Sequence, residues 1–160
     1  MVLVLAPGLS SVDIIQATGK NLPLNHRKQL EYLFDRNPST YYHSTSVPTQ
    51  TPWVQLELIE AAFVSQVDVT NRLDICCQKT LDPGIHIKVG MDKIMDETSS
   101  VAPTNIFCGR YLGDIKAGDI IKTKCDKDIL GRFVTIQRMG SGTDPINIAE
   151  VEVFGMIPGK

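Results

Sequence analysis

Short runs in which apolar and polar residues alternate recur along most of the chain, and no other feature restricts its fold as much. Trp53-Val54-Gln55-Leu56-Glu57-Leu58 puts Val54, Leu56 and Leu58 on one side, and Val64-Ser65-Gln66-Val67-Asp68-Val69-Thr70 does the same with Val67 and Val69. Ile85-His86-Ile87-Lys88-Val89 turns three aliphatics inward and leaves His86 and Lys88 outside. Further runs are Ile120 to Lys124, Arg132 to Arg138 and Ile148 to Phe154. A period of two sends successive side chains to opposite faces of an extended chain, so each run predicts a strand with one wet face. Turn signals separate them at Asp82-Pro83-Gly84, Ala117-Gly118-Asp119 and Gly140 to Pro145. Arg27 to Phe34 alone has helical character, for one or two turns, while Asn21 to Tyr42 and Met91 to Phe107 read as extended loops. Many short strands without alternating helices predict an all-β, antiparallel jelly-roll β-sandwich. In such sandwiches the loops at one end carry the binding chemistry.

With 160 residues the chain is expected to form one domain with its own core. Its formal charge of -2 gives no electrostatic reason to expect nucleic acid or an anionic membrane surface as a partner. The opening Met1-Val2-Leu3-Val4-Leu5-Ala6-Pro7 lacks the basic flank and longer apolar run of a secretory signal, and no later segment approaches a membrane span. The cysteines number 4. Free thiols or a zinc site would suit a reducing compartment, disulfides an oxidising one. Zinc sites usually space paired cysteines two to four residues apart, and Cys76 and Cys77 have no spacer, which favours disulfides. Cys108 and Cys125 bound a loop of a length that disulfides commonly close, at a gain of roughly 3 kcal/mol.

The densest chemistry follows the strand through Val67 and Val69. If the strand continues, Thr70, Arg72 and Asp74 share a face, so Asp74 can hold the Arg72 guanidinium by charge-assisted hydrogen bonds. An ordinary surface ion pair would account for those two residues alone. It would not account for the adjacent Cys76-Cys77 and for Lys79, crowded into the same few positions. Arg72-Leu73-Asp74, then Cys76-Cys77, then Lys79, with His43 upstream, resembles the sugar-binding signature of the F-type lectins, or fucolectins. Pro52-Trp53-Val54-Gln55-Leu56, Phe34-Asp35-Arg36-Asn37, Gly131-Arg132-Phe133-Val134 and Ala149-Glu150-Val151-Glu152-Val153-Phe154-Gly155 extend the resemblance from about Gly19 onward. Ile75 sets the cysteines one position later than is usual in that family, and Lys79 stands where many members have arginine.

The resemblance implies a jelly-roll domain of the galactose-binding, discoidin-like kind that binds L-fucose on terminal glycans without catalysis. His43, Arg72 and Lys79 would donate to the sugar hydroxyls, since imidazole, guanidinium and ammonium groups bring several N–H donors to a ring rich in acceptors. Asp74 would orient Arg72, and a Cys76-Cys77 disulfide would offer a rigid, polarisable face to an apolar patch of the sugar. Phe34, Tyr41 and Tyr42 are candidates for the niche that takes the C6 methyl. The resemblance also implies a structural Ca2+ held by Asp35, Asn37, Ser46, Ala149 and Glu150, a donor set rich in the oxygens that hard cations prefer. Arg36 replaces the family's usual glycine there, and Ala149 its usual cysteine.

The implied partners are fucosylated glycans, with no nucleic acid and no membrane insertion. The implied setting is secreted and extracellular, in cell recognition and innate immunity. Weak single-site binding would call for a homo-oligomer or tandem repetition in a longer chain. The chief alternative is a discoidin-like adhesion domain that binds phospholipid or protein without sugar. An enzyme is less consistent with the residues, because no Gly-x-Ser-x-Gly, His-Glu-x-x-His or phosphate-loop motif is present.

Overall fold

The computed structural model describes residues 10–19, 24–44, 52–74, 81, 84–94, 105–139 and 145–160, with side chains in the helix described from residue 29. In chain order its elements are β1 (Ser10–Val12), β2 (Ile14–Gly19), a 3-10 helix (Leu24–Phe34), β3 (Tyr42–His43), β4 (Trp53–Thr70), β5 (Gly84–Gly90), β6 (Ile106–Leu112), β7 (Ile120–Arg138), β8 (Asn147–Ile148) and β9 (Glu150–Met156). One sheet runs β1-β9-β4-β7-β5-β6, with β2 also on β4, and β3 pairs with β8 beside it. Every pairing is antiparallel. The fold is the all-β, jelly-roll-like sandwich that the alternating runs predict.

Two long strands build both layers. The first part of β4, Trp53 to Glu57, pairs with the last part of β7 and with β2. Beyond an irregularity between Glu57 and Ala62, the second part pairs with the first part of β7 and with β9. Irregularities of this kind bend a strand and add twist, which lets a continuous ladder pass from one layer into the other. The Cys108–Cys125 disulfide ties β6 to the first part of β7, with Cα atoms 4.3 Å apart. Trp53 to Leu58 and Val64 to Thr70 are therefore one strand, and so are Ile120 to Lys124 and Arg132 to Arg138. Period-two patterning locates faces and is blind to whether a strand stops or bends.

The inward aliphatics lie where expected: Val54, Leu56, Leu58, Val67, Val69, Ile85, Ile87 and Val89 are all fully buried. The start of β4 is buried on both faces, however, which overturns the expectation of a wet side there. Gln55 is only 2% exposed. Its Nε2 donates to Thr135 Oγ1 at 3.1 Å and its Oε1 accepts from the backbone N–H of Ile94 at 2.9 Å, so the polar groups that burial would orphan are paired. The segment read as a loop from Asn21 to Tyr42 contains the 3-10 helix, and β6 opens at Ile106 inside the segment read as a loop to Phe107. No helix among the described residues is long and apolar enough to cross a membrane.

Candidate functional site

At the end of β4 the chain leaves the sheet through Asn71, which is fully buried. Its Nδ2 donates to the Lys116 carbonyl at 2.9 Å, its backbone N–H to the Asp119 carbonyl at 2.8 Å, and Gly118 N–H returns a bond to the Arg72 carbonyl at 3.1 Å. The turn Lys116 to Asp119 is closed in turn by Asp119 Oδ2, which accepts from Lys116 N–H at 2.9 Å, with Gly118 at the positive φ of 76°. Asn71 thus fixes the backbone from which Arg72 projects. Composition marks the turn but gives no hint that an adjacent asparagine is its partner.

Arg72 and Asp74 meet as their spacing predicts. Nε and Nη2 of Arg72 both donate to Asp74 Oδ2, at 3.0 and 2.6 Å. The arginine side chain is 11% exposed and the aspartate 54%. The guanidinium lies over the ring of Tyr41, 3.6 Å from its centroid. Among the described residues nothing accepts from Nη1.

Tyr41 precedes β3, whose residues pair Tyr42 with Ile148 and His43 with Asn147. His43 therefore lies two residues along the chain from the ring that carries Arg72. Tyr42 is fully buried and belongs to the core, so it is not part of an open niche for a methyl group. Phe34 lines a groove of about 1000 Å³ together with Leu73, Ile120 and Glu150, beside the rim rather than under Arg72. Cys76, Cys77 and Lys79 lie outside the described residues, as does Ser46.

Behind this rim sits the candidate cation site. Thr70 pairs with Glu150, and Ala149 N–H donates to the Thr70 carbonyl at 2.9 Å, which brings the start of β9 against the end of β4. The loop after the helix folds on Asp35: Oδ1 accepts from Asn37 N–H at 2.9 Å and Oδ2 from Thr40 Oγ1 at 2.6 Å. Arg36 has φ of 61°, the one non-glycine residue at positive φ among those described. Burial pushes the Glu150 carboxyl up to about 7; the Asp35 carboxylate adds to the rise, while the backbone N–H groups of Arg36 and Asn37 oppose it. Its Oε2 is buried without a hydrogen-bond partner. A buried carboxyl raised by a neighbouring carboxylate, with an oxygen left over, fits a hard dication completed by amide and carbonyl oxygens such as those of Asn37 and Ala149.

The molecule is thus a jelly-roll-like β-sandwich in which Asp74 and Tyr41 orient the Arg72 guanidinium, and Asp35 comes close to Glu150 at the start of β9. No family model matches the chain. It is 27% identical over 126 residues to Fucolectin-5 of Anguilla japonica, an alignment that takes in 79% of this chain and 60% of that protein. The chain thus spans about three-fifths of that relative's length. The fucolectin from the serum of Morone saxatilis, the striped bass, superposes with a TM-score of 0.69 at 24% identity, over 89% of this chain and 45% of that one. The family 32 CBM from C. perfringens NanJ, solved with galactose, superposes with a TM-score of 0.62 at 14% identity, over 87% of this chain and 92% of that one. Over most of its length this chain is thus similar to fucolectins in sequence and in fold.

Proposed function

We propose that this domain is a non-catalytic lectin module that binds L-fucose at the ends of glycans. The observation that carries this reading is Arg72: one edge of its guanidinium is taken by Asp74, one face by Tyr41, and among the described residues none accepts from Nη1. A permanently charged donor fixed before the ligand arrives loses little freedom on binding, which suits a small polyhydroxylated sugar. His43 and Lys79 join Arg72 as donors in this reading, and a Cys76-Cys77 disulfide supplies the apolar counter-surface.

A structural calcium held by Asp35, Asn37, Ser46, Ala149 and Glu150 belongs to the same reading. When bound it would neutralise the two carboxyls and stiffen the loop that leads to Tyr41 and His43. The buried Oε2 of Glu150 without a partner supports this assignment.

Fucosylated glycans in an extracellular setting, in cell recognition and innate immunity, are the corresponding partners and place. A single shallow site is expected to hold the monosaccharide at about 10 to 100 μM, roughly 6 kcal/mol, so repetition or oligomerisation would supply avidity. Isothermal titration with L-fucose tests the proposal. Heat of binding in that range supports it. No binding to L-fucose together with binding to phosphatidylserine liposomes would transfer the domain to the discoidin-like adhesion reading.

A further inference from the structure

We infer that Tyr41 is a positioning residue for Arg72: its ring is the floor that holds the guanidinium in the plane from which it meets the sugar. This rests on the reading of Arg72 as a sugar donor. The two groups stand 3.6 Å apart, centre over centre, within the range of a cation–π stack. Asp74 alone does not fix the plane, because Nε and Nη2 converge on a single oxygen, Oδ2, and one acceptor atom leaves the guanidinium free to pivot about it. A ring pressed on one face stops that pivot.

Of the pair, Arg72 is the more buried side chain, 11% exposed against 54% for Asp74. The ring is placed by its neighbours, since Tyr42 is fully buried and is paired with Ile148. With one face given to Arg72, Tyr41 acts on the ligand through that arginine.

The test is L-fucose titration of Tyr41→Phe and Tyr41→Leu beside the unsubstituted chain. Phenylalanine keeps the π face, so its affinity should stay within about twofold, whereas leucine keeps only apolar bulk and should bind about tenfold more weakly. The Arg72 Nε–H proton resonance, shifted by the ring current, should persist with phenylalanine and move with leucine, which checks that the stack exists in solution. Should the leucine variant fail to fold, Tyr41→Met gives the same contrast. Unchanged affinity in the leucine or methionine variant, or an equal loss with phenylalanine, overturns the inference while the sugar reading stands. If the unsubstituted chain binds no fucose, the sugar reading falls and takes this role with it.

Discussion

Arg72 and Glu150 are the two residues on which the chemistry turns, and they are opposite in kind. Removing Arg72 leaves behind an aspartate that water already reaches and uncovers one face of the Tyr41 ring. Arg72→Ala is expected to weaken L-fucose binding by about a hundredfold or more, the scale of lost charged hydrogen bonds, with the melting temperature within about 2 °C of the unsubstituted chain. Calorimetric titration and a thermal scan on the same samples check both halves. Glu150 has a buried oxygen without a partner and a carboxylate neighbour in Asp35. In the absence of divalent cations Glu150→Gln should therefore raise the melting temperature by a few degrees. Adding calcium should stabilise the unsubstituted chain, by ligand linkage, and leave the variant unmoved. Equal calcium shifts in both would remove Glu150 from the cation site.

At the scale of elements, the glycines of the motif strands are sites of close approach. A Cβ at Gly131 would lie 2.6 Å from Val89 Cγ1 and 2.7 Å from the Gly90 nitrogen, closer than packed atoms allow. Gly131→Ala should lower stability by about 1–3 kcal/mol, as overpacking does, measured by urea denaturation. The Cys108–Cys125 disulfide joins β6 to β7 across 17 residues, so replacing both cysteines by serine should cost roughly 3 kcal/mol on the same scale. Much of this level was legible in the sequence. The alternation in Ile85 to Val89 and in Val67 to Val69 named the buried faces, and the two-residue step from Arg72 to Asp74 named an ion pair that forms. What was illegible depends on residues distant in the chain. Gln55 looked like a solvent position until Ile94 and Thr135 were seen to satisfy it. Tyr41 and Tyr42 are indistinguishable by type, and the strand pairing sends one to the rim and the other to the core. The short β1 and β2 lie upstream of every alternating run identified, and they are strands because β9 and β4 offer them edges.

For the whole molecule, pH exposes an electrostatic strain on the outer face of the sheet. Burial lowers the pKa of His86, and the nearby Lys88 and Arg110 charges lower it further. Its ring also stands edge-on to Phe107, with centroids 5.9 Å apart. A histidine whose folded pKa is depressed takes up its proton more readily when unfolded. Stability is therefore lost as pH falls below the unfolded value of about 6.5, and the loss is complete below the folded pKa. Denaturation midpoints at pH 7.5 and pH 5 should differ less in His86→Gln than in the unsubstituted chain; an equal difference would mean that the histidine is not strained. The comparison between variants cancels Glu150, whose raised pKa gives the opposite slope, with stability greatest below its unfolded value and declining as pH rises to about 7. Because β4 and β7 each cross from one layer to the other, neither layer has a seam along which it can be peeled from its neighbour. A pull applied at the Arg72 rim, where β4 ends, must load the opposite layer at once, so the domain yields as one body or not at all.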